Sequence, residues 1–254
     1  MPIEDRNRTS PLAFGGHRFE FRAVGSSQNV SMVNTVLATA VANEFKNISD
    51  RIEAGEDFRQ ISKEAWSAHN KVVFNGDGYC EKNQVMLVKE KGLLQIDSGI
   101  ESIGMMTDDK NIELFTAMNV FIDSEELIAR QTVRLEQYVE LVKMEAHCLL
   151  DEWLKFFNGD MGKKYYRQIN ELRYEIDGLC NNIGVKSESE SAPPRPEHAY
   201  NESLLNVARR ARILRLDKMV EWRRLIEHMD AEMSIKDSPI TTSIPDLLFI
   251  DIMK

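Results

Sequence analysis

Apolar and polar positions follow two different rhythms along this chain. In Arg18-Phe19-Glu20-Phe21-Arg22-Ala23-Val24 charged and apolar residues alternate, and a period of two predicts a β-strand over 18–24. Gly25-Ser26-Ser27 follows as a turn. From residue 30 the spacing changes to three and four. Val33, Val36, Leu37, Ala40, Val41 and Phe45 form the stripe of an amphipathic helix. A second helix is predicted over about 56–70, and the short run Val72-Val73-Phe74 leads into a turn at Asn75-Gly76-Asp77-Gly78. Between 81 and 121 the pattern weakens, and short helices are predicted around Val85–Lys91 and Ile112–Met118.

Beyond that point the helical signal dominates. Asp123 with Glu126 three residues later resembles a capping box. It opens a seam through Leu127, Leu135, Tyr138, Val142, Ala146, Leu149, Trp153 and Phe156. One long helix over 124–157 is the expectation, ended by Asn158-Gly159. A further helix over 160–183 should turn Tyr166, Ile169, Leu172, Ile176 and Leu179 inward. Residues 187–196 are acidic, rich in Ser and Pro and poor in apolar groups, which reads as a linker. A third long helix is predicted over 197–233, with Leu204, Val207, Ala211, Leu214, Val220, Leu225 and Met229 facing inward. The tail from Pro239 to Phe249 reads as a docked extended segment. Each seam needs an apolar partner, so the expected fold is mainly α: a bundle or hairpin of long helices with a short N-terminal β element. The boundaries fall at 1–29, 30–121 and 122–254.

Composition narrows the classes. The 254 residues are 43% hydrophobic and 29% charged, enough to build a core in one or two domains. Lys and Arg number 32 against 41 Asp and Glu, a formal charge of −9 that repels a polyphosphate backbone, so no nucleic-acid partner is expected. No apolar run reaches the length of a membrane span and Met1–Ser10 is polar, so no membrane association and a cytoplasmic location are expected. Cys80, Cys148 and Cys180 are odd in number and far apart, which fits reduced thiols.

Two segments carry candidate chemistry. On a strand Arg18, Glu20 and Arg22 share one face, while Phe19 and Phe21 point the other way, toward an expected core. A carboxylate between two guanidinium groups could hold a cation and an anionic substrate together, or could be an ion-paired solvated face. The segment Asp5-Arg6-Asn7-Arg8-Thr9-Ser10-Pro11 has the forked donors and hydroxyls that suit phosphate, or is a frayed charged end. The five histidines have no metal-binding spacing. Arg209, Arg210, Arg212, Arg215, Lys218, Arg223 and Arg224 are interleaved with Asp217, Glu221, Glu227 and Asp230, which reads as a solvated helix flank or one paired with an acidic neighbour.

Taken together, Asp5 to Pro11, then Phe14 and Gly16, then His17-Arg-Phe-Glu-Phe-Arg-Ala-Val-Gly-Ser-Ser-Gln28 closely resemble a signature of type III glutamine synthetases. Asn34-Thr-Val-Leu37, Phe74-Asn-Gly-Asp-Gly-Tyr79, Leu135-Glu-Gln-Tyr138 and Ser238 to Phe249 extend the resemblance more diffusely. It implies that 1–29 end the catalytic core, that 30–121 continue it, and that 122–254 form the helical C-terminal domain. The implied activity is ATP-dependent joining of ammonia to glutamate, with ATP and Mg²⁺ or Mn²⁺ as cofactors. The implied partners are glutamate, ammonia, ATP and either further copies of the chain or complementing glutamine synthetase subunits. By the same resemblance Glu20 is a metal ligand, Arg22 binds glutamate, Arg8 contacts the transferred phosphate, and Arg6 assists at the substrate. Ala13 stands where other glutamine synthetase types carry a second Arg. The family's N-terminal and main catalytic regions are not before Met1, so this chain is expected to be inactive alone. The competing expectation is a stand-alone helical interaction or regulatory module derived from the enzyme.

Overall fold

The structure is a computed structural model that describes residues 12–14, 16–22, 29–74, 76–78, 80–121, 123–155, 160–182 and 197–232. The segment 5–11, the loop at 158–159, the linker 187–196 and the tail from 239 lie outside those residues. The fold is mainly α with a two-stranded antiparallel sheet. It divides into two compact units, residues 1–97 with 113–120 and residues 98–112 with 121–254.

In the first unit β1 (Leu12–Phe14) pairs with β2 (Phe19–Phe21), with Leu12 opposite Phe21, Ala13 opposite Glu20 and Phe14 opposite Phe19. Gly16, at φ +84°, lies in the turn between them, a backbone region costly for other residues. Helix α1 (Ser31–Glu53) begins where the Ser31 amide donates to Asn29 Oδ1 at 2.7 Å. It ends before Gly55, whose φ of +92° is the left-handed position that commonly stops a helix. Helix α2 (Phe58–His69) runs into a 3₁₀ turn at Asn70–Val72. Arg51 ties the two helices by pairing with Glu56 and with Glu64, the latter at 2.7 Å. The turn at Gly76–Gly78 is held from α3 (Glu81–Lys89), where the Asn83 and Gln84 side-chain amides donate to the carbonyls of Asp77 and Gly78.

The helix over 31–53 agrees with the pattern, but its stripe does not lie against a core. Val36, Val41, Phe45 and Ile52 are exposed, and Thr39 is the buried residue of α1. Periodicity defines a face; it does not say what covers it. The same correction applies to β2, whose Phe19 is 67% exposed and rests on the Phe14 ring at 5.1 Å instead of entering a core.

The second unit begins with α4 (Gly99–Gly104), capped by Ser98 accepting from the Glu101 amide, and a 3₁₀ turn at Met105–Thr107. Helix α5 (Asp109–Ala117) passes from this unit to the first. Helix α6 (Ser124–Lys155) opens as expected, with the Glu126 amide donating to Asp123 Oδ1 at 3.0 Å. Helices α7 (Asp160–Asn182) and α8 (Glu197–Ile213) follow, then a π turn at Leu214–Lys218 that leads without a break into α9 (Met219–Glu232).

The core is a single cluster. Leu135, Val139, Val142, Ala146, Leu149 and Trp153 of α6 meet Ile169, Leu172, Ile176 and Leu179 of α7. Leu204, Val207, Ala208 and Ala211 of α8, Leu214 of the π turn and Met219, Trp222 and Ile226 of α9 close it. Glu175 pairs with Lys218, and Gly178 lies against Arg210, so α7 and α8 run antiparallel. The buried Gln131 amide donates to the carbonyls of Ile103 and Gly104 and to Thr107 Oγ1 at 2.8–3.1 Å, which satisfies carbonyls left over where α4 ends. Tyr166 is exposed, contrary to expectation. At 100° per residue it lies about a quarter turn from the line of Ile169, Leu172, Ile176 and Leu179.

The third long helix departs from its predicted face after residue 214. Counting on from Leu214, a continuous α-helix brings Lys218, Glu221 and Leu225 to the buried side. The buried residues are Met219, Trp222 and Ile226, each one position later, while Val220 and Leu225 are only partly buried. The π turn absorbs that extra residue: the Met219 amide donates to the Leu214 carbonyl five residues back. A straight helix would have buried Lys218 and Glu221, at a cost that the turn avoids.

Candidate functional site

The β1–β2 ribbon sorts its side chains by the two-residue period. Ala13, Arg18, Glu20 and Arg22 fall on one face, and Leu12, Phe14, Phe19 and Phe21 on the other. Ala13 stands directly opposite Glu20, and its small side chain is 4% exposed. Arg18 Nε donates to Glu20 Oε1 at 2.7 Å, and Arg22 Nη2 donates to Glu20 Oε2 at 3.0 Å. His17 Nε2 lies 2.8 Å from Arg18 Nη1. The expected acid between two bases is therefore assembled, with the Arg18 and Arg22 guanidinium groups holding the Glu20 carboxyl below its usual range through hydrogen bonds. At the pH of the cell Glu20 is ionised.

The geometry also limits what the ribbon does alone. Both oxygens of Glu20 are engaged by guanidinium groups, and a divalent cation of the Mg²⁺ class takes about six oxygen ligands. Among the described residues no group of three His, Cys, Asp or Glu gathers at metal-binding distance. Glu20 fits as one ligand of a shared centre, not as a centre. Arg6 and Arg8 lie outside the described residues.

A second charged cluster was not singled out by the sequence. Arg215 Nη2 donates to Glu145 Oε1 at 2.6 Å with both side chains buried, and the guanidinium carbon lies 5.9 Å from the centre of the Tyr138 ring. Glu145 Oε2 has no hydrogen-bond partner among the described residues. Burial pushes the Glu145 carboxyl up from its ordinary range, against the pull of Arg215, and pushes the Tyr138 hydroxyl up as well. A signal existed: Tyr138, Val142, Glu145, Leu149 and Glu152 recur at four and three, so Glu145 stands in the seam. Elsewhere in the basic stretch Arg209 pairs with Glu101 at 2.7 Å and Arg223 with Glu227 at 3.1 Å. Arg215 belongs to the core and not to that solvated flank.

Among the described residues no helix is long and apolar enough to cross a membrane, and Cys80 and Cys148 are free thiols.

An all-helical unit preceded by a charged ribbon is the arrangement that the opening residues led one to expect of a glutamine synthetase C-terminal region. Residues 57–161 match the family model of the glutamine synthetase C-terminal domain. The chain is 41% identical over 154 residues to the type-3 glutamine synthetase of Dictyostelium discoideum, covering 58% of this chain and 21% of that protein. It is 37% identical over 159 residues to a glutamine synthetase of Bacteroides fragilis (59% and 22%), and 28% identical over 197 residues to one of Butyrivibrio fibrisolvens (69% and 26%). Residues 57–161 thus carry glutamine synthetase C-terminal domain sequence, and more than half of the chain is similar to a type-3 glutamine synthetase. It spans between about a fifth and a quarter of the length of these relatives.

Proposed function

We propose that this chain contributes the C-terminal part of a type III glutamine synthetase, in which ATP drives the joining of ammonia to glutamate. The similarity to type-3 glutamine synthetases carries the reading, and the ribbon's alternating charge supports it. In that reaction the side-chain carboxylate of glutamate attacks the terminal phosphorus of ATP, ADP leaves, and ammonia then displaces phosphate at the acyl carbon. Charge accumulates on phosphate and carboxylate oxygens at both steps, which suits permanently charged guanidinium groups. In this reading Arg22 holds the glutamate carboxylate, Arg8 meets the transferred phosphate and Arg6 assists. A divalent cation, Mg²⁺ or Mn²⁺, neutralises phosphate charge when bound. Glu20 would be one oxygen ligand to that cation, which would need further ligands besides it.

The same reading makes the chain cytoplasmic and inactive by itself, working in an assembly of its own copies or with complementing glutamine synthetase subunits. The test is γ-glutamyl transfer, assayed with Mg²⁺ or Mn²⁺ on the chain alone and on the chain co-expressed with the remaining N-terminal portion of the Dictyostelium relative. Activity is expected only in the co-expressed assembly, and there Glu20→Ala lowers turnover by orders of magnitude without preventing association. An associated assembly without activity, or one indifferent to Glu20→Ala, overturns the enzymatic reading. Turnover by the chain alone overturns its dependence on a partner. A second reading, a helical interaction or regulatory module derived from that enzyme, draws on the core cluster of the second unit. Association without turnover would favour it.

A further inference from the structure

The apolar pattern of the last long helix requires one extra residue, but it does not say where that residue sits. Leu204, Val207, Ala208 and Ala211 define the buried face before it, and Met219, Trp222 and Ile226 define the face after it, slipped by one position. Any place between Ala211 and Met219 would reconcile the two. The turn is found at Leu214–Lys218, and both cationic residues within it reach across to other helices. Arg215 is 2% exposed and bonded to Glu145 of α6, with the Tyr138 ring beside it. Lys218, rotated off the buried face, pairs with Glu175 of α7.

The first of these contacts is the stronger constraint. A buried guanidinium that leaves its carboxylate strands two charges in an apolar core, whereas the half-exposed Lys218 can exchange Glu175 for water. Sliding the extra residue along the helix would turn Arg215 relative to α6 by up to one residue's rotation, about 100°, and break its bond to Glu145.

We propose that the π turn and the buried Glu145–Arg215 pair form one conformational lock, in which the pair fixes the extra residue at 214–218 and thereby sets which residues between Ala211 and Met219 face α6. Released from the pair, the extra residue is free to migrate along 211–219, turning the residues between Ala211 and Met219 while the buried faces on either side stay as they are. The inference concerns the helical unit alone and stands whether or not the enzymatic reading does.

The test replaces both charges in the full chain, Glu145→Leu with Arg215→Leu, and follows amide hydrogen exchange by NMR. The Met219 amide, which closes the π turn on the Leu214 carbonyl, is expected to lose protection by about tenfold or more, while amides in the middle of α6 keep theirs. Unchanged protection at Met219 overturns the lock. Should the double variant not fold, Arg215→Met decides, since it removes the pairing guanidinium and keeps the length of the buried stem. Protection lost at Met219 and kept in the middle of α6 supports the proposal, and unchanged protection at Met219 overturns it.

Discussion

Two glutamates, each held by arginine, show how differently the two units of this molecule are built. Glu20 lies on the ribbon of the first unit, with Arg18 and Arg22 on either side and water within reach. Its carboxyl is drawn below the ordinary range by those hydrogen bonds. Glu145 lies in the core of the second unit with one arginine, and there burial outweighs the partner and raises it. The chemistry of the two pairs is the same. The surroundings reverse the sign, because a charge that water solvates needs little help, and one taken out of water needs more than a single bond returns. The contrast extends to apolar groups. The second unit encloses Leu135, Val142, Trp153, Leu172 and Met219 almost completely, while the first leaves Phe14, Phe19, Phe45 and Trp66 more than half exposed. Stability resides in the helical unit, and the ionised, accessible carboxylate resides on the ribbon.

Several substitutions would break or sharpen this contrast. The largest loss is expected for Trp153→Ala, whose ring is 1% exposed within the core: about 3–5 kcal/mol in urea unfolding of the second unit. A loss below about 1 kcal/mol would mean that the cluster is not the main support of the fold. Next comes Glu145→Leu alone, which strands Arg215 and should cost about 3 kcal/mol, while the joint replacement of Glu145 and Arg215 by Leu should be neutral or stabilising. Equal losses in the single and double variants would show that the pair itself contributes net stability.

A smaller effect is expected from pH. The folded-state pKa of Glu145 lies above its unfolded value, so the stability it contributes is fully present below the ordinary carboxyl range and is lost as pH rises through the folded value. Compared with Glu145→Gln, the parent chain should lose ground as the pH climbs from about 4.5, the ordinary value, into the range above it. Parallel unfolding curves for the two would contradict the direction. Glu20 has the opposite sign, with stability lost as pH falls through its lowered value, but its exposure to water makes that contribution slight. Smallest of all, Glu20→Ala should leave the thermal midpoint and the helical circular dichroism of the chain unchanged. A clear drop in either would tie the ribbon to the fold and weaken its separation from the helical unit.

Much of this was legible from spacing alone, for reasons that particular residues make plain. Asp123 and Glu126 announced the start of α6, and the run from Leu127 to Trp153 announced its buried face, because capping and a 3.6-residue repeat are local properties. Alternation placed Arg18, Glu20 and Arg22 on one side of a strand for the same reason. The partner strand at Leu12–Phe14 escaped notice, since three residues are too few to show a period. The stripe of α1 was visible, yet nothing in it told that Val41 and Phe45 would be exposed.

What the order of residues determined by itself, then, was local: where helices begin, which faces are apolar, and which charges share a strand face, all of which follow from the geometry of neighbouring residues. The tertiary structure decided what distance along the chain conceals. Seventy positions separate Glu145 from Arg215, and only the packing of α6 against the last long helix brings them together. That same packing requires the buried side to slip by one residue after Leu214, because otherwise Lys218 and Glu221 would enter a core with no water to solvate them.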